Sequence, residues 1–247
     1  NEDSHRATLT YLFDDKSTKL KSSYGTGFRF PSLYEMYYVY AANEKSLGHV
    51  KAENSESFDF GIEKSFLNLG LDIEASYFNL KYHDVLEGDW VTGNSSGAAY
   101  TTQNMPGTVK SQGLELISKW KANDLLNFGF NYTYTSTYDG AEQDNPDKNS
   151  NYYNAQMVRV PRNIFNLITN IKIPEYDNLD LTLKTKWSDV ARDYGNGNRT
   201  FADERLDDYL VNDLSIKYNL MNTYNLFFDI NNILDEKYET ARDYSQM

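Results

Sequence analysis

The stretch LLNFGFNYTYTSTY, Leu125 to Tyr138, sorts its side chains by parity. Leu126, Phe128, Phe130, Tyr132, Tyr134 and Tyr138 fall on even numbers, while Asn127, Gly129, Asn131, Thr133, Thr135 and Thr137 fall on odd ones. Successive side chains of a strand point to opposite faces, so this segment predicts a strand with one apolar and one polar face. About ten runs of the same alternation cross the chain, near 5–13, 19–26, 55–64, 69–82, 108–120, 125–138, 161–173, 178–189, 208–219 and 223–234. Helical periodicity is nowhere comparable.

The connections between the runs alternate in length. Asp14–Thr18, Ser65–Asn68, Lys121–Asp124, Pro174–Asp177 and Leu220–Asn222 are short, whereas roughly 27–54, 83–107, 139–160 and 190–207 are long, polar and rich in Gly, Asn and Tyr. Short turns at one end and long loops at the other characterise a transmembrane β-barrel, with its turns in the periplasm. Rings that prefer membrane–water interfaces follow the same division. On the apolar face, Tyr11, Trp120, Tyr218 and Tyr224 lie near the turns, and Tyr24, Tyr77, Tyr132, Tyr134 and Trp187 lie toward the loops. Aliphatic and Phe residues fill the space between, among them Phe58, Phe60, Ile62, Leu181, Leu183 and Phe228.

Charge placement supplies a second test. Lys or Arg on the lipid face at mid-bilayer costs about 2–4 kcal/mol, falling toward zero at the interfaces. On the apolar parity, Glu56, Lys64, Lys81, Lys110 and Asp189 stand only near strand ends. On the other parity, Asp59, Glu63, Asp72, Glu74, Glu115, Asp180, Lys184, Lys186, Asp213, Lys217 and Asp229 occur without that restriction. One face therefore meets lipid and the other a wet lumen. A soluble β-sandwich also alternates, but its strands usually run about 5–6 residues; several here reach the length that crosses a bilayer at a tilt.

Composition narrows the function. The 247 residues carry 24 Lys+Arg against 36 Asp+Glu, a net charge of −12 that opposes a nucleic-acid partner, whose phosphates demand a basic surface. Cysteine is absent, which removes disulfides and thiolate metal sites. The mean hydropathy of −0.69 and the lack of a long apolar run leave strands as the means of crossing a membrane.

Five ordered motifs then point to a family. YGTGFRFPSLYEMYY (Tyr24 to Tyr38) resembles the strand-to-loop passage of TonB-dependent outer-membrane receptors, a Tyr-Gly followed by Phe-Arg-x-Pro-x-Leu. VKAENSESFDFGIEKSF is similar to their Pro-Glu-x-Ser-x-x-x-Glu-x-Gly strand, with Glu53, Ser55 and Gly61 in place and Ala52 where Pro is usual. Gly113 to Leu116 matches their Gly-(Val/Leu)-Glu-Leu run, Val160-Pro161-Arg162 their Arg-x-Pro-like start of a strand, and Asn231 to Tyr244 the Asn-Leu-Phe-Asp-Lys-x-Tyr-Glu segment near the end of the chain. The resemblance implies a plugged barrel of 22 strands, of which this chain is the carboxy-terminal half, all-β and antiparallel. The plug, the early strands and the last strand are expected outside residues 1–247. An open sheet cannot stand in hydrocarbon with unpaired edges, so the remainder of the same barrel is an expected partner.

The resemblance also implies a function: uptake of a scarce, bulky ligand, cobalamin or a ferric siderophore, driven through TonB, in the bacterial outer membrane and with no cofactor. Ligand capture falls to the long loops, where Tyr37, Tyr38, Tyr40, Tyr100, Tyr152, Tyr153 and Arg199 are the candidates; Tyr gives a large contact area with few rotors to freeze. The acidic loop Asp139–Asn151 has oxygens for Ca²⁺ but lacks EF-hand spacing, and a solvated loop is the simpler reading, so no metal site is assigned. His5, His49 and His83 could act as bases in a rim hydrolase, yet no Ser or Asp with a supporting motif accompanies them. A passive porin is the other alternative.

Overall fold

The computed structural model describes residues 2–37, 39–40, 50–92, 98–105, 107–139, 156–173, 179–193, 204–221, 223–242 and 245–246. In chain order its elements are β1 (Arg6–Leu12), β2 (Thr18–Arg29), α1 (Leu33–Tyr37), β3 (Val39–Tyr40), β4 (Glu53–Phe66), β5 (Leu71–His83), β6 (Leu86–Thr92), β7 (Ala98–Asn104), β8 (Thr108–Lys121), β9 (Leu126–Asp139), β10 (Asn163–Ile173), β11 (Leu179–Ser188), β12 (Ala191–Asp193), β13 (Glu204–Leu206), β14 (Tyr209–Leu220), β15 (Tyr224–Ile230), β16 (Tyr238–Glu239) and β17 (Ser245–Gln246). A 3₁₀ turn, Leu67–Leu69, joins β4 to β5. All ten alternating runs are strands, and they form one sheet in the order β1-β2-β4-β5-β8-β9-β10-β11-β14-β15. The long connections carry more structure than their composition predicts: β3, β7 and β6 make a small loop-side sheet and β12–β13 a short hairpin, while β16 and β17 pair with each other beyond β15.

Each neighbouring pair in the long sheet is antiparallel, and the register keeps the two parities on separate faces. Leu114 and Leu116 stand opposite Tyr134 and Tyr132, Phe130 opposite Leu167, and Leu181 opposite Ile216. All nine aromatic residues expected at the interfaces, Tyr11, Tyr24, Tyr77, Trp120, Tyr132, Tyr134, Trp187, Tyr218 and Tyr224, fall on this same face.

The register also fixes the tilt. Direct partners lead from Tyr11, one residue from the turn end of β1, through Leu20, Ile62, Ala75, Leu116, Tyr132, Phe165 and Trp187 to Leu210, ten residues from the turn end of β14. A climb of nine residues at ~3.3 Å across eight strand spacings of ~4.8 Å corresponds to a tilt of about 38°. Membrane barrels tilt their strands by roughly 35–45°. The sheet is thus a staggered section of barrel wall.

Burial decides between the wall and a sandwich. Among the described residues the buried apolar side chains are Ala52, Leu206, Tyr209 and Val211, and no large side chain is fully enclosed. Leu9 is 70% exposed, Phe228 59% and Leu114 55%, all on the apolar face. A contiguous apolar surface of this size belongs against lipid or another protein layer. No described helix is long and apolar enough to cross a membrane.

Backbone detail explains two glycines. Gly70 takes φ 61 to close the β4–β5 turn, a conformation that penalises a Cβ. At Gly113 a Cβ would fall 1.9 Å from the Tyr134 carbonyl oxygen and 2.6 Å from Phe78 Cζ, because the Phe78 ring crosses this position on the inner face. The glycine of the Gly-Leu-Glu-Leu run therefore makes room for a ring on the neighbouring strand.

The two-face assignment gives a paired test. Leu183→Arg places a cation on the outer face beside Thr169 and Leu214 and should destabilise the folded receptor by about 2–4 kcal/mol in vesicles. Thr182→Arg, one residue away on the inner face, should cost less than about 1 kcal/mol, measured for both by urea unfolding of the reconstituted full-length protein.

Candidate functional site

The inner face is built from short and charged side chains whose signs complement each other across strands. Asp72 stands opposite Lys119, Asp180 between Lys172 and Lys217, and Lys184 opposite Asp213. Lys19 and Lys21 both ion-pair with Glu63, and Lys21 Nζ lies 3.5 Å from Glu74 Oε1. Ser23 donates to Asp59 Oδ2 at 2.9 Å. A hollow of about 330 Å³ opens over this part of the wall, lined in part by Thr10, Lys21, Asp59, Gly61, Glu74 and Glu115. Exposed pairs of this kind contribute about 1 kcal/mol or less each. Their effect is to keep one face wet.

At the loop end, the Phe-Arg-Phe-Pro-Ser-Leu-Tyr-Glu segment folds into a clasp. Ser32 Oγ accepts from the Glu35 backbone N–H at 3.2 Å, and Glu35 Oε2 accepts from the Ser32 backbone N–H at 2.7 Å, a reciprocal capping box at the start of α1. Arg29 Nη1 donates to both Glu35 oxygens at 3.0 and 3.1 Å, while its Nε and Nη2 reach Glu53 Oε2 at 3.3 and 2.9 Å. The Leu86 N–H also donates to Glu53 Oε2, at 3.4 Å. A planar guanidinium fork suits two carboxylates at once, as an ammonium would not. The Ser32 backbone N–H, with the Ser32 hydroxyl and Arg29 adding to it, holds the Glu35 carboxyl below the usual glutamate range.

A second knot ties three loop segments together. The fully enclosed Asp193 carboxylate accepts from Arg159 Nε at 2.7 Å and from the Arg242 backbone N–H. Gln156, also buried, accepts from the Thr137 N–H at 3.0 Å and donates to the Thr135 carbonyl at 3.0 Å, while Arg192 Nη1 donates to the Gln156 carbonyl at 2.9 Å. Nearby, Tyr238 stacks on Tyr209 at 4.3 Å, and a hollow of about 290 Å³ is bordered by Arg205, Asp207, Asp208, Lys237, Glu239 and Arg242. In the Asn-Asn-Ile-Leu-Asp-Glu segment, Asn232 at φ 53 donates its N–H to Asp213 Oδ1, and its side chain exchanges two hydrogen bonds with the Glu236 backbone. That turn carries the chain past β15 and back over β14.

The proposed capture residues fall as follows. Tyr37 ends α1, and Tyr40 of β3 stands opposite Tyr100 of β7, which faces Trp90 of β6 in register. Tyr38, Tyr152, Tyr153, Arg199, His49 and most of the acidic loop lie outside the described residues. His83 Nδ1 lies 3.2 Å from Thr108 Oγ1, and the His5 backbone N–H donates to Thr26 Oγ1. Among the described residues no group of three or more His, Asp and Glu side chains could hold a metal ion. Arg29, Glu35, Asp193 and Gln156 do not stand out as site residues in the sequence. Arg29 and Glu53 each belong to a recognisable motif, but their contact spans 24 positions; Asp193 and Arg159 are 34 apart with no motif to link them.

Removing Glu53 tests the clasp. Glu53→Gln should raise amide exchange over 30–37 by about tenfold at pH 7, equivalent to a lost charge-assisted bond of about 1.4 kcal/mol. Because the Glu35 carboxyl is held low in the folded loop, its contribution is present above the ordinary glutamate value of about 4.3 and is lost as pH falls below it. Protection of α1 should therefore stay flat from pH 7 to about 5 and decline below about 4, with Glu35→Gln abolishing that decline.

Comparison with known proteins agrees with this geometry. Residues 1–233 match the family described as TonB dependent receptor-like, beta-barrel. The chain is 22% identical over 220 residues to the vitamin B12 transporter BtuB of Vibrio vulnificus (strain YJ016), covering 89% of this chain and 31% of that protein. It superposes on the ferric enterobactin receptor of Pseudomonas aeruginosa, in a substituted form with enterobactin, with a TM-score of 0.73 at 21% identity, covering 95% of this chain and 35% of the other. For the ferripyoverdine receptor of the outer membrane of Pseudomonas aeruginosa the TM-score is 0.71 at 18% identity, covering 95% and 29%. The chain thus spans about a third of the length of these relatives. With ten tilted strands, a lipid-facing exterior and a charged interior, it belongs to the TonB-dependent receptor β-barrel family of bacterial outer-membrane proteins.

Proposed function

We propose that this chain is the carboxy-terminal half of the wall of a plugged 22-stranded receptor that takes up cobalamin or a ferric siderophore, with energy delivered through TonB. The observation that carries this reading is the wet inner wall, with Lys19, Lys21, Glu63, Glu74, Lys184 and Asp213 on one face of a sheet whose other face is apolar. Such a wall suits a hydrated passage filled by a polar plug. The long sheet has β1 and β15 at its edges, and hydrocarbon does not tolerate unpaired backbone groups, so further strands close the barrel on both sides. A relative named as a vitamin B12 transporter and a neighbour holding enterobactin supply the two ligand classes.

In this reading the loop end faces the medium. The small sheet that sets Tyr40 opposite Tyr100 supports an aromatic capture surface, joined by Tyr37, Tyr38, Tyr152, Tyr153 and Arg199. The turn end faces the periplasm, with Tyr11, Trp120, Tyr218 and Tyr224 at its girdle and Tyr24, Tyr77, Tyr132, Tyr134 and Trp187 at the outer one.

Titration of the full-length receptor with cyanocobalamin and with ferric enterobactin should show binding by one of the two, and the Tyr40→Ala/Tyr100→Ala variant should bind it about tenfold or more weakly. Uptake of the bound ligand should stop in cells lacking TonB. Unchanged uptake without TonB would instead indicate passive diffusion, and binding of neither ligand would remove both from consideration.

A further inference from the structure

Like charges placed directly opposite each other on one sheet face repel and weaken the pair. Among its described residues the ten-stranded sheet has two such pairs, Glu63–Glu74 and Lys81–Lys110. The first is on the inner face and is bridged from within the protein, because Lys21 reaches both carboxylates. The second is on the outer face. Lys81 stands between Glu56 and Lys110 in register, so Glu56 offsets one of the two charges. Lys110 Nζ rests 5.3 Å from the centre of the Tyr138 ring. No ion pair or hydrogen bond among the described residues reaches either ammonium group. Unlike the inner pair, the outer pair has no residue among those described that bridges its two charges.

The position of the pair says where such an anion would come from. Thr26, Glu56, Lys81, Lys110 and Tyr138 form one register row at the loop end of the outer face. The next row toward the membrane holds Tyr24, Phe58, Asn79 and Gln112. There Gln112 Oε1 accepts from Asn79 Nδ2 at 3.2 Å and from the Tyr77 hydroxyl at 3.3 Å, leaving the Gln112 amide nitrogen as a donor with no partner among the described residues. Further in lie Phe60, Leu114 and Leu116, between 36% and 55% exposed. Read from the loop end inward, the surface offers cations, then amides and phenols, then apolar side chains.

We propose that Lys81 and Lys110 hold the phosphate-bearing headgroup of an outer-leaflet lipid, with the Gln112 amide as a further donor and the acyl chains lying over Phe60, Leu114 and Leu116. A free phosphate would satisfy the two ammonium groups but would make no use of the apolar strip below them. The inference needs only the membrane location of the wall and is independent of what the receptor transports.

The test uses the full-length receptor in nanodiscs of phosphatidylcholine with either diphosphoryl lipid A or the same glycolipid stripped of its phosphates, and native mass spectrometry reads the lipid retained. The wild-type protein should retain the phosphorylated lipid. Lys81→Gln/Lys110→Gln should hold it about thirtyfold more weakly, the two lysines contributing about fivefold each or slightly more. Lys119→Gln, on the inner face of β8, should retain it as wild type does. A stability measurement keeps the outcome readable if the double variant folds poorly: in neutral detergent Lys110→Gln alone should raise the melting temperature by relieving repulsion, and in lipid A it should lower it. Equal retention by the double variant, equal retention of the stripped glycolipid, or displacement by inorganic phosphate irrespective of the acyl chains would each overturn the proposal.

Discussion

A strand that crosses hydrocarbon must pair its backbone N–H and C=O groups with neighbouring strands, because no water is available to them, and must turn apolar side chains to the lipid. Both demands are met here by one device, an antiparallel ladder of long strands in strict register. The ladder satisfies the backbone from β2 through β14 on both sides, and the parity of each strand then divides the side chains between acyl chains and water. A slip of one residue in any pairing would exchange the faces, setting Asp180 and Lys184 in lipid and Leu181 and Leu183 in the lumen. The cost of that exchange, about 2–4 kcal/mol for a single Lys or Arg at mid-bilayer, is large beside the marginal stability of proteins and explains why the alternation is kept over so many strands.

Given that division, the inner wall and the loop end can be polar in different ways. The wall uses exposed, mutually compensating charges, individually weak, which keep water at the surface without building rigid structure. The loop end uses the opposite strategy. Asp193 is fully enclosed and held by Arg159 and the Arg242 backbone, and removing one partner from a buried ionic contact is costly because a charge is left uncompensated. Arg29, itself half exposed, is gripped by Glu35 and Glu53 where β2 gives way to α1. Such anchors fix the backbone where the strands give way to the long loops.

The family motifs acquire physical content in this light. Phe-Arg-x-Pro-Ser-Leu-x-Glu is a strand end, a capping box and a cation shared by two carboxylates. The glycine before Leu114 is where the Phe78 ring crosses the neighbouring strand. Asn232 closes a turn with a left-handed backbone that its short amide supports from both sides. Ala52, standing where the motif usually has Pro, is buried just before β4 without disturbing the Glu53 contact that follows.

From the sequence by itself came the ten strands, their two faces, the turn and loop ends, and the placing of the nine aromatic rings on the apolar face, since these depend on the period of two within single segments and on lengths between segments. The strand bounds shifted by a few residues at most, as β2 reaching Arg29 and β15 closing at Ile230 show. Only the tertiary structure decided which residues meet across strands. The bridge from Lys21 to Glu63 and Glu74, the clasp around Arg29, the enclosure of Asp193 and the opposition of Lys81 to Lys110 all join positions far apart in the chain. Their contacts follow from the tilt and register of the whole wall, a property no single segment contains, and the hairpins of β6–β7 and β12–β13 are not legible in the sequence because their short runs carry no sustained alternation.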